Sequence, residues 1–391
     1  MTAPLPHDGA DVRRPLPAEM FRYFLWLGTT GFGGPIALVG YMEREFVDRR
    51  RWVTRQELKD GIAFSQLAPG PLAAQLAMYL GWLCAGVRGA TLAGVAFVAP
   101  SFIMVVVLAV LYSRFGGIAW LQGAFYGIGA AVIAIVARSA IKLTRTTLGD
   151  DRLLWVLSAA TAIVTAWRES EIVVVFVLCG LVSLLAKTWR EAGRAIVLPF
   201  ALPTGWWTQG LHGPAPLETV ATITAYFASA GLFVFGSGLA IVPFLYSGVV
   251  QQRHWLTEQQ FLDAVAVALI TPGPVVITVA FIGYLVAGLF GAVGAAAGVF
   301  APVYFITLLL APHYDRLKTD HRVRAFVDGV TAAATGAIAG AAFVLGRRAI
   351  VDVPTAAIAI GALIVLTRSR RIPEPLLIIV AGVVGVVARG A

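Results

Sequence analysis

Two short stretches of sequence decide the fold: QLAPGP at residues 66–71 and LITPGP at residues 269–274. Each of them places one glycine between two prolines. Proline lacks a backbone N–H and clashes with the preceding helical turn, so neither stretch can continue an α-helix. Both stretches lie within long apolar sequence. They therefore predict helices that are broken inside a hydrophobic environment.

The sequence around these breaks has the composition of a membrane protein. Apolar residues make up 59% of the chain and charged residues only 13%, whereas soluble domains carry about 25% charged residues. Charges are absent from five runs, namely residues 61–87, 89–113, 115–137, 219–252 and 264–314. An uncharged apolar run of about 18 residues or more is typical of a membrane helix. The chain is therefore predicted to be an all-α polytopic membrane protein with broken helices.

The chain also contains a tandem duplication. Residues 24–71 align with residues 227–274 at a constant offset of 203, with 16 identities in 48 positions. The identities include Gly28/Gly231, Trp52/Trp255, Asp60/Asp263 and the Pro-Gly-Pro tripeptides. After a one-residue deletion the alignment continues at an offset of 202. We predict a first repeat at 1–190, whose tail at 1–19 is cytoplasmic, a linker at 191–216 and a second repeat at 217–391.

The distribution of lysine and arginine predicts that the two repeats are inverted. Residues 43–60 hold six of these residues, whereas the equivalent window 246–263 holds only Arg253. Loops rich in lysine and arginine face the cytoplasm, so these equivalent loops are expected on opposite sides of the membrane. The basic loop at 138–152 lies on the same side of the membrane as 43–60 only if the segment 61–87 is re-entrant, that is, if it enters and leaves the membrane on one side.

Features of enzymes and of metal sites are missing from the sequence. It has no phosphate-binding loop, no HExxH and no GxSxG motif, and its five histidines are scattered. We therefore predict no enzymatic activity, no catalytic residue, no cofactor and no metal. The net charge of +9 comes from loops between apolar spans, which indicates a lipid bilayer as partner and excludes nucleic acid.

The helix breaks are the candidate substrate site. A half-helix that starts after a break offers free N–H groups and the positive end of its dipole, which together favour an anion. Corresponding interruptions in two repeats point to the substrate site of a transporter. The alternatives are packing kinks for the breaks and helix–helix hydrogen bonds for the glutamines. The candidates are Gly33, Gly34, Pro35, Gln66, Pro69, Gly70, Pro71 and Gln75 in the first repeat and Gly236, Ser237, Thr271, Pro272, Gly273 and Pro274 in the second.

Charged residues near the breaks suggest two further roles. Asp60 and Asp263 occupy the same repeat position and are candidates for coupling transport to a proton or a cation, although acidic residues at a membrane boundary can also be helix N-terminal charges. Arg49, Arg50 and Arg51 anchor the chain at the cytoplasmic surface or steer anions to the pore mouth.

Several of these motifs resemble the signature of the chromate ion transporter family. They are FGGP at 32–35, EFV at 45–47, RW at 51–52, and QLAPGP at 66–71 followed by Gln75. The second copy, with FGSG at 235–238, WL at 255–256 and PGP at 272–274, resembles the C-terminal domain of that family. The resemblance covers residues of about 20 to 142 and 222 to 346. It implies a multi-pass inner-membrane carrier that exports chromate, uses the membrane gradient and confers chromate resistance.

The sequence departs from the family pattern at three points. Many relatives have a histidine shortly after FGGP where this chain has Leu38, the second copy has Leu269 in place of the glutamine before Pro-Gly-Pro, and its FGGP has become FGSG. We therefore expect an asymmetric site in which the first repeat dominates. Transport of sulfate or another oxyanion, an uncoupled anion channel and a membrane scaffold are the alternative functions. A homodimer is left open.

Overall fold

The computed structural model describes residues 13–32, 34–115, 118–168, 173–188, 217–232, 234, 238, 241–368, 372 and 374–389. Of these residues 89% are helical and none lies in a strand, which confirms the all-α prediction. The linker predicted at 191–216 and most of the predicted tail lie outside the described residues.

The two repeats contain matching series of helices. In the first repeat these are α1 Pro17–Thr30, α2 Gly34–Glu43 with π-helical turns at Arg44–Arg49, α3 Arg55–Leu67, α4 Leu72–Phe115, α5 Ala119–Leu148, α6 Arg152–Arg168 and α7 Val173–Thr188. In the second they are α8 Leu217–Leu232, α9 Ile241–Tyr246 with π-helical turns at Ser247–Gln252, α10 Glu258–Ile270, a 3₁₀ turn at Val275–Ile277, α11 Thr278–Leu310, a 3₁₀ turn at Ala311–His313, α12 Tyr314–Leu317, α13 His321–Ala349, α14 Val353–Arg368 and α15 Glu374–Arg389. Helices α4, α5, α11 and α13 are long and apolar enough to cross a membrane.

The backbone conformation confirms the duplication. Arg51 and His254, at an offset of 203, have φ values of 52° and 51°, which are uncommon for residues other than glycine. Gly86 and Gly288, at an offset of 202, have φ values of 62° and 63°. The π-helical turns after α2 and after α9 also coincide at the offset of 203.

The long helices α4 and α11 each fold back on themselves. In α4 the backbone leaves the helical conformation at Ala85 and Gly86, and the two halves then pack so closely that a Cβ on Gly81 would lie 2.4 Å from the carbonyl oxygen of Gly89. In α11 a Cβ on Gly283 would lie 2.2 Å from the carbonyl oxygen of Gly291. Only glycine permits such an approach. Each long helix is therefore a pair of antiparallel halves.

Two hairpins of the first repeat turn back at the predicted breaks. The ring of Phe64 on α3 stacks on Tyr79 of α4, with 5.0 Å between the centroids, because the chain reverses at Pro-Gly-Pro. Across the earlier break, Tyr23 of α1 meets Phe46, with 5.5 Å between the centroids. Each hairpin therefore returns to the end from which it started. This is the re-entrant geometry that the charge pattern required for residues 61–87.

The basic loops collect at one end of the molecule, which we call the basic end. Ion pairs join Arg14 to Glu57 at 2.9 Å, Lys318 to Asp60 at 3.7 Å and Lys187 to Asp151 and Asp328 at 3.1 Å. At the opposite end Arg348 pairs with Glu258 at the start of α10. The start of α3 and the equivalent start of α10 therefore lie at opposite ends, which is the arrangement that inverted repeats require.

Candidate functional site

Hairpins that enter from opposite ends of the molecule contact each other at their tips, between the two ends. The Gly70 N–H donates a hydrogen bond to the carbonyl oxygen of Val234 at 2.6 Å, and the Gly273 N–H donates to that of Gly31 at 2.9 Å. Gly70 and Gly273 are equivalent at an offset of 203, and so are Gly31 and Val234. The two hydrogen bonds are therefore related by the pseudo-two-fold symmetry of the repeats, and each Pro-Gly-Pro break contacts the first break of the other repeat.

The glycine of each tripeptide rests on the long helix of the other repeat. Gly70 has a φ of 140°, and a Cβ there would lie 2.7 Å from a methyl group of Val303 on α11. Gly273 has a φ of 100°, and a Cβ there would lie 1.9 Å from the hydroxyl oxygen of Ser101 on α4. Ser101 and Val303 are equivalent at an offset of 202. Glycine is thus required both by the backbone conformation and by the space available.

Two buried polar side chains donate hydrogen bonds to carbonyl groups of the Pro-Gly-Pro breaks. The Gln75 Nε2 donates to the carbonyl oxygen of Pro69 at 2.8 Å, and its Oε1 has no hydrogen-bond partner among the described residues. The Ser101 hydroxyl donates to the carbonyl oxygen of Pro272 at 2.8 Å. Gln75 therefore lies at the break as predicted, but its amide N–H holds the turn together.

The first turn of α4 supplies backbone donors next to this turn. The N–H groups of Leu72, Ala73 and Ala74 have no acceptor within their helix, and no other described residue accepts from them. All three residues are buried, and Pro71 precedes them. Free N–H groups and the positive end of the helix dipole can bind an anion.

The other predicted site residues occupy more varied positions. Gln66 lies on the exposed face of α3, Gly34 and Pro35 begin α2, and the Thr271 hydroxyl donates within its own helix to the carbonyl oxygen of Val267 at 3.0 Å. Gly33, Gly236 and Ser237 lie outside the described residues. The structure therefore places Gln75 against the first Pro-Gly-Pro break and joins each Pro-Gly-Pro break to the first break of the other repeat, whereas Gln66 is exposed on α3.

The arginine cluster lies at the basic end and is partly paired. Arg49 and Arg50 both contact the carboxylate of Glu45, and the Arg50 guanidinium also lies 5.0 Å from the ring centroid of Trp52. These pairs reduce the positive field that the cluster projects toward solvent. Steering of anions by Arg49, Arg50 and Arg51 stays a prediction.

The two equivalent carboxylates lie in different environments. Asp263 is only 3% exposed, and it accepts hydrogen bonds from the Tyr112 hydroxyl at 2.7 Å and from the Gln259 amide at 2.8 Å. The Asp60 side chain is 26% exposed, and it accepts from the Gln56 amide at 3.1 Å. A buried carboxylate in a membrane protein is costly and usually marks a functional site.

Lysine also distinguishes the two carboxylates. Lys318 lies 3.7 Å from Asp60 and 2.6 Å from Asp315. Its hydrogen bond to Asp315, together with the charge of Asp60, raises the pKa of Lys318, which therefore stays positively charged. The position equivalent to Lys318 in the first repeat is a glycine, at residue 116.

The partners of these carboxylates were missed by the sequence reasoning. Gln56 and Gln259 are identical at an offset of 203, and Tyr112 and Tyr314 are identical at an offset of 202. These identities were visible in the repeat alignment. They did not indicate a hydrogen bond to an aspartate, because a tyrosine near the end of an apolar run usually has only an interfacial role.

Comparison with known proteins gives a consistent result. A sequence profile described as chromate transporter matches residues 18–184 and residues 221–386. The chain is 50% identical over 378 residues to a chromate transport protein of Cupriavidus metallidurans, covering 95% of this chain and 92% of the relative. It is 50% identical over 385 residues to a probable chromate transport protein of Synechococcus elongatus, covering 94% and 95%. It is 34% identical over 339 residues to a chromate transport protein of Pseudomonas aeruginosa, covering 82% and 79%. No solved structure matches.

Proposed function

The chain belongs to the chromate transporter family, and from this premise we propose that it exports chromate across the inner membrane and thereby confers chromate resistance. The basic end then faces the cytoplasm. A membrane potential that is negative inside contributes about 2.3 kcal/mol per charge for every 100 mV, or about 4.6 kcal/mol for a dianion moving outward. The potential alone therefore favours export.

The reciprocal hydrogen bonds between the breaks are the observation that carries this proposal. They join each Pro-Gly-Pro turn to the first break of the other repeat, and the turn of the first repeat directly precedes the free N–H groups of residues 72–74. A dianion needs such donors, because an uncompensated charge inside a membrane costs many kcal/mol. Residues 61–87 and 264–314 offer no lysine or arginine instead.

The oxyanion site that we propose is asymmetric. It comprises residues 33–35, 66, 69–71 and 75 of the first repeat and residues 236, 237 and 271–274 of the second. In the first repeat the free donors begin an α-helix, whereas in the second Pro-Gly-Pro is followed by a 3₁₀ turn at Val275–Ile277. The first repeat therefore supplies most of the donors. The repeats at 1–190 and 217–391 and the linker at 191–216 stay part of the proposal.

Uptake of labelled chromate into everted membrane vesicles tests the proposed function. Export from the cell appears there as uptake, which is expected to rise with an interior-positive potential and to fall when unlabelled sulfate is added as a competitor. Sulfate uptake that excess chromate does not inhibit would assign a different substrate. Chromate flux that merely equilibrates, with the same rate under every proton gradient, would indicate an uncoupled channel.

A further inference from the structure

The repeat symmetry generates two sets of the same three side chains at opposite ends of the molecule. One set is Gln259, Asp263 and Tyr112, and we call it the outer latch. The equivalent set is Gln56, Asp60 and Tyr314, and we call it the inner latch. In each set the glutamine and the aspartate belong to one repeat and the tyrosine belongs to the other. A hydrogen bond between tyrosine and aspartate therefore joins the two repeats.

The outer latch is closed. The Tyr112 hydroxyl donates to Asp263 at 2.7 Å and connects α4 to α10. Rings of Phe125 and Phe281 pack edge-on against Tyr112, with centroids at 5.5 and 5.4 Å. Asp263 is sealed from solvent behind this bond.

The inner latch is open. Tyr314 forms no hydrogen bond with Asp60, although the two residues are close. The ring centroid of Tyr314 lies 5.6 Å from that of Phe64, which is one turn along α3 from Asp60. Instead the Asp60 carboxylate contacts Gln56 and Lys318, and it remains partly exposed. The two latches therefore have the same residues but different bonding.

The helices beneath the latches differ in the same sense. On α3 the side chains of Lys59, Ala63 and Gln66 form an exposed stripe that leads from Asp60 toward the Pro-Gly-Pro break. The equivalent residues on α10, Leu262, Ala266 and Leu269, are all buried. This face of α3 is therefore uncovered between Asp60 and the break, whereas the equivalent face of α10 is covered by the rest of the protein.

We propose that the two latches are reciprocal gates, and that this structure is the state open to the cytoplasm. During transport the Tyr112–Asp263 bond breaks and α10 opens, while Tyr314 replaces Lys318 as the partner of Asp60 and α3 closes. Because the repeats are inverted, a tilt of the hairpins that opens one gate closes the other. The proposal rests on the transport function proposed above, but its test reads conformation and requires no flux of chromate.

Two equivalent alanines provide matched reporters. Ala63 on α3 is exposed and Ala266 on α10 is buried, and each lies three residues beyond the aspartate of its latch. In a chain whose Cys84 and Cys179 are replaced by alanine, Ala63→Cys or Ala266→Cys is labelled with a membrane-impermeant maleimide. The Ala63 reporter is labelled from the cytoplasmic side in everted vesicles, and the Ala266 reporter is labelled from outside in intact cells.

The tyrosine hydroxyls are then removed one at a time. Tyr112→Phe keeps the ring packing and loses only the hydrogen bond, so labelling at position 266 is expected to rise at least about threefold and labelling at position 63 to fall. Tyr314→Phe is the matched control and is expected to do the reverse, because it weakens only the state in which the inner latch is closed. A local disturbance of packing around one tyrosine cannot change the labelling rates at positions 63 and 266 in opposite directions.

Two results would overturn the gates. One is that Tyr112→Phe increases labelling at both positions or at neither, which would make its hydrogen bond a local packing feature. The other is that Tyr314→Phe leaves both rates unchanged, which would make the inner set a permanent ion pair with Lys318. In either case the uptake of chromate in vesicles would still decide the proposed function separately.

Discussion

Two equivalent hairpins have the same backbone conformation but different surfaces. One is formed by α3 and the first half of α4, and the other is its equivalent in the second repeat. Both start with a threonine whose hydroxyl accepts from the N–H three residues later, Thr54 from Glu57 and Thr257 from Gln260, and both break at Pro-Gly-Pro. Yet α3 exposes a polar stripe, whereas the same face of α10 is apolar and packs against α5. Duplication has preserved the conformation, and substitutions on one face distinguish the uncovered helix α3 from the buried helix α10.

The largest effect is expected at the glycine of the first break. Gly70→Leu should abolish chromate uptake, because a side chain there requires a strained φ and meets Val303. Gly40→Ala on α2 is the control, since a Cβ there meets no atom of the described residues within 4 Å. Both variants should be measured at equal abundance in the membrane. Normal uptake by Gly70→Leu would place the anion site elsewhere.

The inversion of the repeats predicts an all-or-none difference in labelling. Thr54→Cys should react with an impermeant maleimide only from the cytoplasmic side, and Thr257→Cys only from outside, because their helices begin at opposite ends of the molecule. The reagent is added to intact cells and to everted vesicles prepared from the same strain. Reaction of both cysteines from one side would contradict the inversion and the two-fold site.

The aspartates should differ in their effect on energy coupling. Asp263 is buried among neutral partners, whereas Asp60 lies beside the charged Lys318. Asp263→Asn should therefore remove most of the response of chromate uptake to the proton gradient while exchange of internal for external chromate persists. Asp60→Asn should retain most of that response. If the two variants respond equally, the buried position has no special part in coupling.

Replacing the exposed glutamine of α3 should have a moderate effect. Gln66→Ala removes a side chain that can donate to the anion on its way to the break, which costs about 1.5–3 kcal/mol for a hydrogen bond to a charged group. The apparent affinity for chromate should fall by about tenfold or more. Leu269→Ala changes the equivalent buried position in the second repeat and should leave the affinity nearly unchanged. Equal losses would remove the asymmetry of the proposed site.

The smallest effect is expected from the arginine cluster, which the second repeat reduces to Arg253. Replacing Arg49, Arg50 and Arg51 with glutamine should raise the apparent KM at low salt. The difference from the wild type should shrink toward 0.1 M salt, where the screening length is about 10 Å. Glu45 already pairs with two of the three arginines, so the change should be small. An effect that does not depend on salt would indicate direct binding or a role in topology.

The sequence alone determined the elements that depend on local chemistry. Uncharged runs predict membrane helices, proline and glycine predict the breaks, and register identities such as Trp52/Trp255 reveal the duplication. The charges of the loops also set a condition, namely that 61–87 is re-entrant if the basic loops at 43–60 and 138–152 share one side, because charged loops are not easily moved across a membrane.

The tertiary structure decided what these elements contact. Tyr112 and Asp263 are 151 positions apart, and Ser101 and Pro272 are 171 apart, so only the packing of the two repeats brings them together. Gln75 was predicted to lie at the break, and only the tertiary structure shows that its amide N–H donates to the Pro69 carbonyl. The repeat alignment places both tyrosines at equivalent positions, but only Tyr112 bonds to the aspartate of its set. This difference depends on how the helices of the two repeats pack, which a pattern of residue types does not specify.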